Sequence, residues 1–265
     1  MITSSPFVCS EYNISANLHL AVIDFEHLNG TIKEVLDNNF VLICEGRSCS
    51  SLSTVKQQVN TLYTGKNETW IMGATAEFFI HLYISLSGFK QECLFLNLEE
   101  GSIKKGFDGY YSYNGNEWLM ESKAGSILTK DNTHVNKVEK AMEDLEDKVM
   151  GRVCPGKSGV PNNPWKNAYS HASHYDVGAS EKIRKNIKTL SDDFINGIFY
   201  SIEKFNTMPC GTLFLTGIWD PPQHKDILEE LKDVTDKLKG KDIYVICVTH
   251  KSVDLFLDYL KQDLK

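Results

Sequence analysis

The stretch that decides the fold is Gly106–Ser126, GFDGYYSYNGNEWLMESKAGS. Two short β-type runs, Phe107–Tyr113 and Glu117–Ala124, flank Asn114-Gly115-Asn116. Asn-Gly between β-rich runs signals a hairpin, because both central residues of the tightest turn need positive φ. Residues two apart in a strand share a face. Glu121 and Lys123 therefore point one way and Ser122 the other. The hairpin also carries Asp108, near the start of the first strand, alongside the second. Two carboxylates and one ammonium converge. Carboxylate oxygens suit hard divalent cations, Mg²⁺ or Mn²⁺, and a neighbouring lysine can hold or activate a water. The constellation outlines metal-dependent phosphodiester hydrolysis. The plainer alternative is a surface hairpin whose Glu and Lys face solvent. Phe107, Trp118 and Met120 weigh against it, since they predict a largely buried sheet, where a Glu and a Lys need a reason to sit.

Working outward, 265 residues suffice for one large domain or two small ones. Apolar content of 42% and charged content of 24% are those of an ordinary globular chain with a core of its own. Seven cysteines, an odd number with no CxxC pair, argue against a zinc site or a disulfide scaffold. Cys44, Cys93, Cys210 and Cys247 lie in or beside apolar runs, as small buried hydrophobes do. A reducing cytosol is the expected location. The N-terminus, MITSSPFVCSEYN, has neither a basic region nor an apolar core of the signal-peptide kind. The longest apolar segment, Trp70–Leu86, contains Glu77 and His81 and falls short of a membrane span. Gly151–Ser158, GRVCPGKS, has the letters of GxxxxGK[ST] but lies in a Pro- and Gly-rich loop after a helical run rather than between a strand and a helix, so no nucleotide cofactor is expected; GxGxxG, HExxH and GxSxG are absent.

Net charge is −7, unlike a free-standing nucleic-acid binder. DNA capture would then rest on a local basic patch or a partner. The candidate phosphate contacts are Lys104 and Lys105 beside the Asp108 strand, and Lys182, Arg184, Lys185 and Lys188 in KIRKNIK. Such a run is more often a solvated helix face.

Along the chain, Asn17–Asp24 and Phe40–Cys44 read as strands, with a helical turn or two at Ile32–Leu36 and a helix at Ser53–Tyr63. Residues 1–65 form an N-terminal α/β elaboration of the same domain as 66–265. Trp70–Ser87 reads as a buried helix and Gln91–Leu98 as a strand, ahead of the hairpin. Asn132–Met150 is amphipathic, with Val135, Val138, Met142, Leu145 and Val149 on one side. Gly151–Trp165, rich in Pro and Gly, is a loop. Helices at Asn167–His174 and Ser180–Phe194 complete an inserted helical segment at about 151–210. A strand at Thr212–Trp219, a helix at Lys225–Lys239, a strand at Asp242–Val248 and a helix at Val253–Leu264 follow. The fold class is α/β, a mixed β-sheet flanked by helices.

The order helix, strand, Asp strand, turn, ExK strand, helix, strand resembles the PD-(D/E)xK superfamily, the restriction-endonuclease-like nucleases. That resemblance implies an αβββαβ core with an N-terminal extension and an insertion before the fourth core strand. Asp108 stands as the first acid and Glu121-Ser122-Lys123 as the ExK; Phe107 replaces the nominal proline. It implies Asp108 and Glu121 as metal ligands, the Ser122 carbonyl completing the shell, and Lys123 positioning the attacking water or stabilising transition-state charge. Glu77, in GATAEFF, is a candidate third ligand, since members often carry a glutamate in the first core helix. Its bland reading is a helix acid reaching solvent or pairing with a lysine. Glu99 and Glu100 could approach the metal, but adjacent loop acids are usually exposed. His171 and His174, at i, i+3, read first as a polar helix face and second as a metal pair, phosphate contact or general acid.

Gly73 and Glu77, Gly106-Phe107-Asp108 and Glu121-Ser122-Lys123 further resemble HamA, the nuclease subunit of Hachiman-type anti-phage defence systems, over about residues 70–126. That implies a cytoplasmic Mg²⁺- or Mn²⁺-dependent deoxyribonuclease restrained by a helicase partner, HamB. The alternatives are a stand-alone restriction-type or signalling-effector endonuclease, and a catalytically silent scaffold subunit of the same fold.

Overall fold

The computed structural model describes residues 7–97, 102–103 (backbone alone), 106–153 and 161–262. Strands β1 (Val8–Ser15) and β2 (Leu18–Phe25) lead into helices α1 (Gly30–Glu45), α2 (Leu52–Tyr63) and α3 (Glu68–Leu86). Short strands β3 (Lys90–Gln91), β4 (Leu96–Asn97) and β5 (Ser102–Ile103) precede the hairpin β6 (Gly109–Tyr113) and β7 (Asn116–Ser126). Then come α4 (His134–Val149), α5 (Pro164–Ala172), α6 (Glu181–Ile195), β8 (Asn206–Phe214), α7 (His224–Lys232), β9 (Ile243–His250) and α8 (Asp254–Lys261). The main sheet runs β1-β2-β9-β8-β7-β6-β3, and β4 pairs only with β5. Strands β2, β9, β8 and β7 are parallel; β1, β6 and β3 are antiparallel to their neighbours. The chain is thus α/β with a mixed seven-stranded sheet between two helical layers.

One layer, α1, α2, α3 and α8, packs on Trp118, Met120, Met208, Ile246 and Val248. The other, α4 to α7, packs on Leu119, Val245, Cys247 and Val22. Each fully buried side chain of this kind contributes roughly 1.5–3 kcal/mol. The alternation along β7 follows from strand pleating: Trp118 and Met120 face α3, and Leu119 faces α4. The hairpin closes as expected, with Asn114 at φ 48° and Gly115 at φ 78° between the paired Tyr113 and Asn116. Gly211 lets α4 lie directly on β8, because a Cβ there would come within 2.5 Å of the His134 carbonyl oxygen.

Several elements depart from the sequence reading. Phe40–Cys44 is not a strand. It closes α1, whose buried Ile32, Leu36, Phe40, Ile43 and Cys44 recur at helical spacing behind the Asn29 cap. The strand expected at Gln91–Leu98 is cut to two short pieces: the Glu92 N–H still reaches the Tyr110 carbonyl, but the Phe95 N–H turns to that of Ile43. The strand expected at Thr212–Trp219 begins earlier, at Asn206, and ends at Phe214. Pro209 and Gly211 disguise it, since both weaken a strand interior. Its pairing with β9 lapses between Thr207 and Cys210, around the proline with no N–H. The inserted helical segment accordingly ends before 206, and α7 stops at Lys232 rather than Lys239. Strand β1, not expected from the sequence, pairs with β2 within the main sheet.

Of the three buried histidines, His250 and His134 have their pKa values lowered. His250 is stacked between Phe25 and Phe214, at 4.7 and 5.1 Å between ring centroids. His134 Nε2 bonds the Val248 carbonyl at 3.0 Å. Burial lowers the first to about 3; it lowers the second to about 4 despite the backbone bond that opposes it. With folded-state pKa values below the ordinary 6.5, their contribution is present above that pH and lost as pH falls toward 3–4. We expect chemical-denaturation stability to fall on acidification from pH 7 to 4, by on the order of 1–3 kcal/mol from His250 alone. His250→Phe, which keeps the ring stack, should flatten that slope.

Candidate active site

Strand β7 sets the site. Glu121 and Lys123 extend the Leu119 face toward α4, while Ala124 packs with Met72 and Ala76 of α3 on the opposite face. Continuing the ladder one step past Gly109↔Met120 puts Asp108 opposite Glu121. The Asp108 carboxylate is anchored there, accepting from the Ser122 N–H at 2.9 Å. Asp108, Glu121 and Lys123 are thus gathered on one side of the sheet.

Two further residues complete the cluster. Lys148, in the last turn of α4, donates to Glu121 Oε2 at 2.5 Å, and Lys123 donates to Oε1 at 3.1 Å. Asp144, one turn before Lys148, pairs with Lys123 at 2.5 Å. Glu121 is 1% exposed, so its charge is viable only because ammonium groups flank it. Burial, then the Asp108 charge, raise its pKa, against the lowering pull of Lys148 and Lys123. Burial alone would lower both lysines, but Glu121 and Asp108 outweigh it and raise them, with Asp144 adding to Lys123. Both lysines are therefore cationic at neutral pH. No sequence motif marks Lys148 or Asp144. The signal in hand was their i, i+4 spacing on α4, beside the apolar stripe that faces the sheet.

The other candidates are placed elsewhere. Glu77 belongs to α3, on the opposite face of the sheet, where its Oε1 lies 3.5 Å from His81 Nε2. His81 Nδ1 in turn bonds the Tyr111 hydroxyl. Lys182, Arg184, Lys185 and Lys188 are exposed on α6. That helix touches β7 at its other end, through Asn186 to Glu117 at 2.7 Å, about 13 Å along the strand from Glu121. Lys188 pairs with Asp192. His174 lies 3.7 Å from Asp176, past the end of α5. Lys104, Lys105, Glu99 and Glu100 fall outside the described residues.

Asp108 and Glu121 offer carboxylate oxygens, the donor type that suits Mg²⁺ or Mn²⁺ rather than a soft metal. Among the described residues, no group of three or more His, Cys, Asp or Glu side chains is arranged to hold a metal ion. A two-carboxylate site lies below that count. No helix among them is long and apolar enough to cross a membrane. No two of the six described cysteines are joined by a disulfide. No family model and no curated protein matches the chain.

Removing Glu121 alone takes the paired carboxylate from Lys148 and leaves Lys123 with Asp144. We expect Glu121→Ala to cost about 3 kcal/mol, the low end for breaking a buried pair, because Lys123 and Lys148 keep 30% and 18% of their side-chain exposure. Glu121→Leu combined with Lys148→Met should recover most of that loss in urea melts. A double variant no more stable than Glu121→Ala would show that the pair is not the source of the cost.

Proposed function

We propose that this chain is a metal-dependent nuclease of the PD-(D/E)xK kind, hydrolysing phosphodiester bonds at Asp108, Glu121 and Lys123. The observation that carries the reading is the convergence of these three groups on one face of the β6–β7 hairpin. The chain order also supports it: within the main sheet α3, β3, β6, β7, α4 and β8 run as helix, three strands, helix and strand, with the separate β4–β5 pair between β3 and β6 and with α5 and α6 inserted before β8.

In this reading Asp108 and Glu121 hold a divalent cation, with the Ser122 carbonyl as a further donor. The bound cation supplies charge neutralisation at the phosphate and a more acidic water. Lys123 does the remaining work from the protein side. Its ammonium, fixed between Glu121 and Asp144, orients the attacking water and offsets charge that builds on the phosphate oxygens. The water gives up one proton to solvent as its oxygen bonds to phosphorus, one P–O ester bond breaks, and the departing alkoxide takes up a proton in turn.

DNA is the substrate we favour, and a helicase encoded nearby the partner. The support is the net charge of −7, which disfavours unaided capture of a polyanion, together with the resemblance to the Hachiman nuclease subunit. The exposed basic face of α6, remote from Glu121 along β7, then serves as a grip for a partner or for the flanking duplex.

Purified protein, with the adjacent gene product co-expressed, should nick or degrade plasmid DNA in Mg²⁺ or Mn²⁺ and stop in EDTA. Asp108→Asn and Lys123→Ala should each lower the rate at least about 100-fold, the scale of losing one transition-state contact. Cleavage that persists in EDTA would rule out the metal mechanism. Near-normal turnover by Lys123→Ala with an unchanged melting curve would rule out the site. Size-exclusion chromatography of the co-expressed pair should give a single complex; separate peaks, with full activity in the free chain, would favour a stand-alone endonuclease.

A further inference from the structure

The reading above leaves an unexplained feature. Both carboxylate oxygens of the proposed ligand Glu121 are already taken, Oε1 by Lys123 and Oε2 by Lys148. A cation that uses Glu121 must displace one of them. The two lysines are not equally held. Lys123 is tied a second time, to Asp144 at 2.5 Å. Among the described residues, Lys148 makes one ion pair, with Glu121. Lys148 also reaches the site from the end of α4, on four methylenes, whereas Lys123 springs from the same strand as Glu121.

Resting on the nuclease reading, we propose that Lys148 is a built-in counter-ion that restrains the site: it occupies Glu121 Oε2 until a divalent cation displaces it, and so sets the metal affinity of the resting protein. Lys123, locked by Asp144, stays in place and keeps its catalytic position through the exchange. The device suits an enzyme that must stay quiet. A site whose ligand is already neutralised binds metal weakly, and anything that draws Lys148 off Glu121, such as a DNA phosphate arriving beside α4, strengthens it. Metal and phosphate then bind cooperatively, each favouring the state in which Lys148 has left the carboxylate.

The experiment is Mn²⁺ titration calorimetry on the full chain, joined to ¹⁵N NMR of the lysine ammonium groups during Mg²⁺ titration. Wild type should bind one Mn²⁺ in a manner abolished by Asp108→Asn. Lys148→Met should bind it about tenfold more tightly, within the roughly 5–150-fold range of intramolecular coupling. Lys148→Gln serves as the second variant if the methionine form does not fold. Lys148→Arg, which holds a carboxylate through two parallel bonds, should bind more weakly than wild type. In the wild-type spectra the Lys148 ammonium signal should move as Mg²⁺ saturates while that of Lys123 stays. Mg²⁺ saturation with the Lys148 signal unmoved, or equal Mn²⁺ affinity in wild type and the Met or Gln variant, would overturn the proposal and leave the nuclease reading intact. Absence of Mn²⁺ binding to every form would instead overturn the metal site itself.

Discussion

A carboxylate buried to 1% exposure beneath a helix is the constraint on which this architecture turns. Glu121 cannot be desolvated there unless cations come with it. The strand supplies one from two residues on, the helix supplies another, and a second acid, Asp144, fixes the strand lysine. Strand β7 and helix α4 are therefore joined at this point by charge, while the apolar stripe of α4 from Val135 to Val149 joins them elsewhere. Replacing the cluster with hydrophobic residues would be tolerated or even favoured by stability alone.

The sheet divides labour by face. The α3 face is almost wholly aromatic and aliphatic, with Phe78, Phe79, Phe256 and Tyr259 in mutual ring contact through Phe40 and Phe256. On that side the Tyr111 hydroxyl meets His81 Nδ1, and Glu77 Oε1 lies 3.5 Å from His81 Nε2. The α4 face carries the convergent charges. This separation follows from the two-residue period of β7, which sends Trp118 and Met120 into one core and Leu119, Glu121 and Lys123 toward the other. It also explains why Glu77, close in sequence order to the expectation for a core-helix ligand, lies across the sheet from Glu121.

Small local choices make room for the site. Gly211, opposite Lys123 in the β7–β8 ladder, allows the start of α4 to sit on the sheet, so the helix can cross from His134 over β9 to Lys148 over β7. Pro209 stands opposite Glu121 in the same ladder, a position where a central strand forgoes one N–H. Both features lie at the same level of the sheet.

The hairpin, its Asn114-Gly115 turn and the convergence of Asp108, Glu121 and Lys123 were determined by the sequence itself. They depend on local rules: turn residues that accept positive φ, and alternation that assigns each side chain a face. The helices α2, α3, α4 and α6 were legible for the same reason, their apolar spacing being strong and continuous. Phe40–Cys44 and the start of β8 were not, because short apolar runs suit either helix or strand and because Pro209 and Gly211 argue locally against a strand that burial and two neighbours impose. Lys148 and Asp144 lay beyond any sequence motif. Their approach to Glu121 depends on how α4 crosses the sheet, a long-range relation that is set by packing against β7, β8 and β9 and that no local period encodes.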